Sequence, residues 1–111
     1  MTWAHLQNTS IVQMIFNLIF NDDAKDQFQK LKKSNDKQSI FKAICKALAF
    51  METNLHHPSL NTHEFSSLKG PSGEKVFESY AQNNTPGAYR IFWYYGPSKK
   101  EITIAAIIPH P

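Results

Sequence analysis

Arg90 is the residue best equipped for chemistry in this sequence. It lies in the aromatic run "GAYRIFWYYGP", Gly87 to Pro97, and it is the sole arginine among 12 basic residues. Arginine offers a planar fork of donors that never deprotonates, which suits a phosphate or a carboxylate better than lysine does. On a strand its same-face neighbours are Ala88, Phe92 and Tyr94, and aromatic rings beside a cation can stack on unpaired bases. The plainer alternative is an exposed strand residue paired across a sheet with Glu78 or Glu101.

The five histidines are His5, His56, His57, His63 and His110. Zinc needs paired ligands at set spacing, usually with cysteine or carboxylate, and this set does not supply them. No metal or cofactor is expected. His110, in "IIPHP" just past the last apolar run, can act as an acid or a base near neutral pH; its alternative is a solvated terminus. Cys45 sits between Ile44 and Lys46, where a small packed hydrophobe is the better reading than a catalytic thiol. There is no glycine-rich phosphate loop, no G-x-S-x-G and no H-E-x-x-H. Lys25, Lys30, Lys32, Lys33, Lys37, Lys42 and Lys46 form either a solvated outer face or a track along a nucleic-acid backbone.

These side chains need a scaffold, and 111 residues with 41% hydrophobic content suffice for one domain with its own core. The net charge of +3 permits an acidic partner without requiring one. A single cysteine and an N-terminus without a basic secretory segment read as cytoplasmic. The longest apolar run, "IVQMIFNLIF", is half the ~20 residues a membrane helix needs.

Ile11 to Phe20 alternates as a strand with one buried face, with a short buried helix as the rival reading. "NDDAKDQFQKLKK" opens a helix capped by Asn21 or Asp22, with Ala24, Phe28 and Leu31 on its apolar stripe. A second helix is expected from about Asp36 to Asn54, facing inward through Ile40, Ile44, Leu48, Met51 and Leu55. "HHPSLNTHEF" reads as a loop and "LKGPSGEK" as a turn. Three strands follow, at Lys75–Gln82, Ala88–Tyr95 and Glu101–Ile108, the last two joined by a hairpin over Gly96–Lys100. The expected fold is α+β: strand, two helices, then three strands, with both helices on one face of a four-stranded, mainly antiparallel sheet. Residues 1–10 stand apart as an N-terminal extension of the single domain 1–111.

The ordered series "FNLIFNDDAKDQFQKL", "LKG", "VFESY", "YRIFWYY" and "EITIAAI" resembles the RelE/ParE superfamily of bacterial toxin–antitoxin toxins, over roughly Gln13 to His110. RelE-like members are ribosome-dependent mRNA endonucleases, and ParE-like members bind DNA gyrase without cutting RNA. Both are neutralised by an antitoxin that wraps the toxin. The resemblance implies that Arg90 stabilises a phosphate, supported by Lys69 and Lys75. It implies that His110 moves a proton, that Glu78 matches a catalytic glutamate of one branch, and that Tyr80 and Tyr95 stack bases or hydrogen-bond the phosphate. Many nucleolytic members carry a second arginine about where Tyr80 stands. The expected partners are a cognate antitoxin, the ribosome and mRNA. The alternatives are a gyrase-binding inhibitor and a non-toxic domain of the same fold.

Overall fold

A computed structural model describes residues 15–83 and 86–111. The N-terminal extension, and the part of the first expected strand before Ile15, lie outside these residues. Strand β1 (Asn17–Phe20) leads into α1 (Asp22–Lys33). Asn21 starts this helix as expected: its Oδ1 accepts from the Ala24 N–H at 2.8 Å, and Asp22 and Asp23 lie in the positive first turn. A 3-10 turn at Asn35–Lys37 precedes α2 (Gln38–Thr53), so the second helix begins two residues later than its apolar spacing suggests. A further 3-10 turn, Pro58–Leu60, follows.

The sheet differs from expectation in two ways. Among the described residues it has five strands, in the order β1-β5-β4-β3-β2, and β1 runs parallel to β5. The additional strand is β2 (His63–Lys69), which belongs to the stretch read above as loop and turn. It pairs antiparallel with β3 (Lys75–Tyr80) through a turn that needs Gly73 at φ 86°. As an edge strand it is exposed at every position but Phe65. Main-chain bonds to β3 hold it, so its sequence carries no apolar alternation. Strands β4 (Tyr89–Tyr95) and β5 (Glu101–Pro109) complete an antiparallel meander.

Both helices cover one face of the sheet. Their buried side chains, Ala24, Leu31, Ile44, Ala47, Leu48 and Met51, meet Ile91, Trp93, Ile102, Ile104 and Ile107. A register shift between Phe92 and Trp93 makes this possible. Trp93 stands opposite Ile104 and Ile91 opposite Ile107, so two steps on β4 match three on β5. The extra residue turns Ile102, Ile104 and Ile107 to the core. Where β1 ends opposite Ile104, the Ile107 N–H is taken by the Gln27 side chain at 2.7 Å, which fastens α1 to β5. The helical lysines all lie exposed. Cys45 is exposed as well, not packed; partial burial pushes its thiol up, with Lys32 opposing, so it is a poor nucleophile. No helix among the described residues is long and apolar enough to cross a membrane.

Candidate active site

The other face of the sheet carries the charged groups. Strand periodicity and register place Glu78, Tyr80, Arg90 and Phe92 together there, with Tyr80 opposite Arg90 and Glu78 opposite Phe92. Arg90 is not the exposed strand residue that its isolation suggested. It is 1% exposed, as is Glu78. The Tyr80 ring lies over the guanidinium, 3.6 Å from its carbon to the ring centroid, a cation–π contact that closes the arginine from above. Nη1 donates to the Tyr89 and Gln82 carbonyls at 3.2 and 3.4 Å. Nε is buried without a hydrogen-bond partner and stands 3.9 Å from Glu78 Oε2. A buried, unpaired guanidinium N–H is costly, and a group that carries one is set up to receive an anion.

Glu78 is instead held by two imidazoles. His110 Nδ1 lies 2.8 Å from Oε2, and His63 Nε2 lies 2.7 Å from Oε1. The His110 main chain is fixed by continuation of the β4–β5 ladder, its N–H donating to the Ala88 carbonyl at 2.8 Å. His63 is fixed by register, directly opposite Glu78 on β2. Both side chains are about half exposed, so their rings bridge a buried carboxylate to solvent. Chemically, a carboxylate that accepts from His Nδ1 orients the ring and leaves Nε2 to exchange a proton with a substrate.

The structure thus gathers Arg90, Glu78, His110 and Tyr80. It does not bring Lys69, Lys75 or Tyr95 to them. Lys69 pairs with Lys75 at the far end of the β2–β3 hairpin, and Lys75 reaches Glu64 at 3.9 Å. From Tyr80 that end is about 16 Å along β3 at ~3.3 Å per residue. Tyr95 belongs to the helix-covered face, against Phe16, Phe77 and Trp93, and burial pushes its phenol up. His63 is the residue that sequence reasoning missed. Its signal was available only through pairing: "HEFSSLK" had to be taken as a strand and folded back across the "GPSG" turn before His63 met Glu78. Among the described residues no group of three or more histidine, cysteine or acidic side chains is arranged to hold a metal ion.

No protein-family model matches the sequence, and none of the curated proteins does either. Solved structures do. The YoeB/ParE toxin from Agrobacterium tumefaciens superposes with a TM-score of 0.63 at 9% identity, over 86% of this chain and 100% of that one. The YoeB dimer from Staphylococcus aureus gives 0.57 at 14% identity, over 86% and 98%. The archaeal RelE–RelB complex from Pyrococcus horikoshii gives 0.58 at 13% identity, over 86% and 96%. The two helices and the five-stranded mixed sheet therefore share the fold of these YoeB, ParE and RelE structures.

Proposed function

We propose that this protein is the toxin of a bacterial toxin–antitoxin system and a RelE-like endonuclease that cleaves mRNA on the ribosome, restrained by a cognate antitoxin. The fold supports the first part. The observation that carries the second is the Glu78–His110 contact at 2.8 Å beside the unpaired Nε of Arg90. In the reaction, His110 Nε2 takes the proton of a 2′-hydroxyl, and the new O2′–P bond forms as the P–O5′ bond breaks. The departing O5′ takes a proton from water. Arg90 offsets the charge that builds on the phosphate. Tyr80 must leave the guanidinium for the phosphate to enter, which gives this ring a base to stack on in exchange.

Cell-free translation with the purified protein, with cuts mapped by primer extension, tests the reading. Cleaved message is expected, lost on Arg90→Ala; intact message at inhibitory protein levels would sink it. The burial of Arg90 beneath Tyr80 favours one rival, a ParE-like inhibitor that binds DNA gyrase without chemistry. That rival predicts inhibited supercoiling with intact mRNA, and it keeps its activity in Arg90→Ala.

A further inference from the structure

Two imidazoles share one buried carboxylate on this face, and only one of them has a nitrogen to spare. Building on the endonuclease reading, we propose that His63 is a positioning residue. As an imidazolium it occupies one oxygen of Glu78, which leaves the other to fix the tautomer of His110 and leaves Arg90 uncommitted for a phosphate.

The hydrogen-bond inventory carries this assignment. His63 Nδ1 faces the Asn61 carbonyl oxygen at 3.0 Å, and a carbonyl brings no proton, so Nδ1 bears one. His63 Nε2 faces Glu78 Oε1 at 2.7 Å, and an ionised carboxylate only accepts, so Nε2 bears one too. With both contacts made, the ring is cationic. His110 is engaged through Nδ1 alone, at 2.8 Å from Oε2. A neutral ring with its proton on Nδ1 has the Nε2 lone pair free for substrate.

Arg90 shows the result. Its Nε stands 3.9 Å from Oε2, too far for a hydrogen bond, although both groups are buried. The two histidines already satisfy the oxygens that would otherwise grip it. Remove His63, and Oε1 loses its donor. The carboxylate is then free to close on the guanidinium as a two-bond fork, the stronger arrangement for such a pair. The phosphate ligand is thereby blocked and the His110 ring loses its fixed orientation. His63 is faced by Glu78 and the Tyr80 ring from β3, the two rings near perpendicular with centroids 6.0 Å apart, and by the Asn61 carbonyl from the preceding loop. Glu78 in turn meets His110 and stands 3.9 Å from Arg90 Nε, and Tyr80 lies over the Arg90 guanidinium. Its neighbour Glu64 is directed to Lys75.

The test follows single-turnover cleavage of message on programmed ribosomes across the neutral range. The wild-type rate should need a neutral His110 and a charged His63, which gives the profile an acid limb and an alkaline fall. In His63→Gln, which keeps a donor without charge, the rate should drop about 10- to 100-fold at pH 7 and the alkaline fall should vanish, with the acid limb in place. His63→Leu should drop further. A merely structural role lowers every rate by one factor and keeps both limbs, which would overturn the proposal. So would wild-type rates in both variants, and with Arg90→Ala inactive that result leaves the endonuclease reading intact. Should the wild type cut no message, that reading falls and ring nitrogen NMR at pH 7 decides the role of His63. Two protonated nitrogens in His63, with mixed His110 tautomers in His63→Leu, uphold it; a singly protonated His63 ring or an unchanged His110 overturns it.

Discussion

The two faces of this sheet solve burial in opposite ways. The helix-covered face is closed by two whole elements, and its side chains are apolar almost without exception. Among the described residues no helix lies over the other face, yet Glu78, Arg90 and Phe92 are each 1% exposed there. They are covered by single side chains: Tyr80 over Arg90, Phe65 over Phe92, the two histidines over Glu78. A helix is a permanent cover. A ring on two rotatable bonds is a removable one. The difference separates the part of the molecule that specifies the fold from the part that can open to a ligand.

The largest expected effect lies on the closed face. Trp93→Ala should cost about 3–5 kcal/mol in urea denaturation, since it empties the largest fully buried side-chain volume. A loss under about 1 kcal/mol would show that this face is not the one that specifies the fold. Next comes the open face. Arg90→Met keeps apolar contact under Tyr80 but removes the cation. Cutting should fall at least about 10²-fold, with a stability loss smaller than that of Trp93→Ala, because Glu78 keeps both imidazoles. A larger stability loss for Arg90→Met would erase the distinction between the faces.

A third comparison lies within the closed face, at a buried polar cluster. Trp93 Nε1 donates to Ser79 Oγ at 2.8 Å, and that hydroxyl meets Thr62 Oγ1 at 2.7 Å. Ser79→Ala leaves the indole N–H without a partner and should lower stability by about 1–3 kcal/mol. Lys69→Ala and Lys75→Ala should change cutting by less than about threefold, since solvated charges at this distance are screened. A tenfold effect would mean that the substrate spans the whole β2–β3 hairpin. The smallest effect is electrostatic. Tyr95 borders the apolar face, and burial raises its phenol above the usual 10.0. The raised value favours the neutral phenol in the folded state, so its contribution is full below pH 10 and is lost as pH climbs past the folded value. Tyr95→Phe should flatten that alkaline decline in stability, and an unchanged decline would place its origin elsewhere.

The closed face was also the legible one. Ala24, Phe28 and Leu31 on one helix, Ile44, Leu48 and Met51 on the other, and the isoleucines of the last strand announce themselves by periodicity, because burial against another element demands it. β2 does not, since an edge strand fastened by main-chain bonds can be "HEFSSLK" and still pair. The parallel placement of β1 was likewise invisible, because local spacing says nothing about which distant strand is the neighbour. At the site, Arg90 stood out by its rarity and Glu78 as one of two carboxylates expected to face it. Their burial was not readable, because it depends on Tyr80 and on a cover that exists only after pairing. His63 was one of five histidines until register set it opposite Glu78.

The parallel pairing of β1 with β5 has a consequence for the order in which the molecule is made. Asn17 to Phe20 must wait for Glu101 to Ile104, more than eighty positions later, before the ladder can form. Strands β2 to β5, by contrast, are joined by short local connections and can zip in sequence. Since β5 lies between β1 and β4, the sheet stays split until residues 101–109 have been synthesised, and His110 follows at once. A chain that still lacks residues 101–110 therefore holds Glu78 and Arg90 without His110, the residue proposed to move the proton.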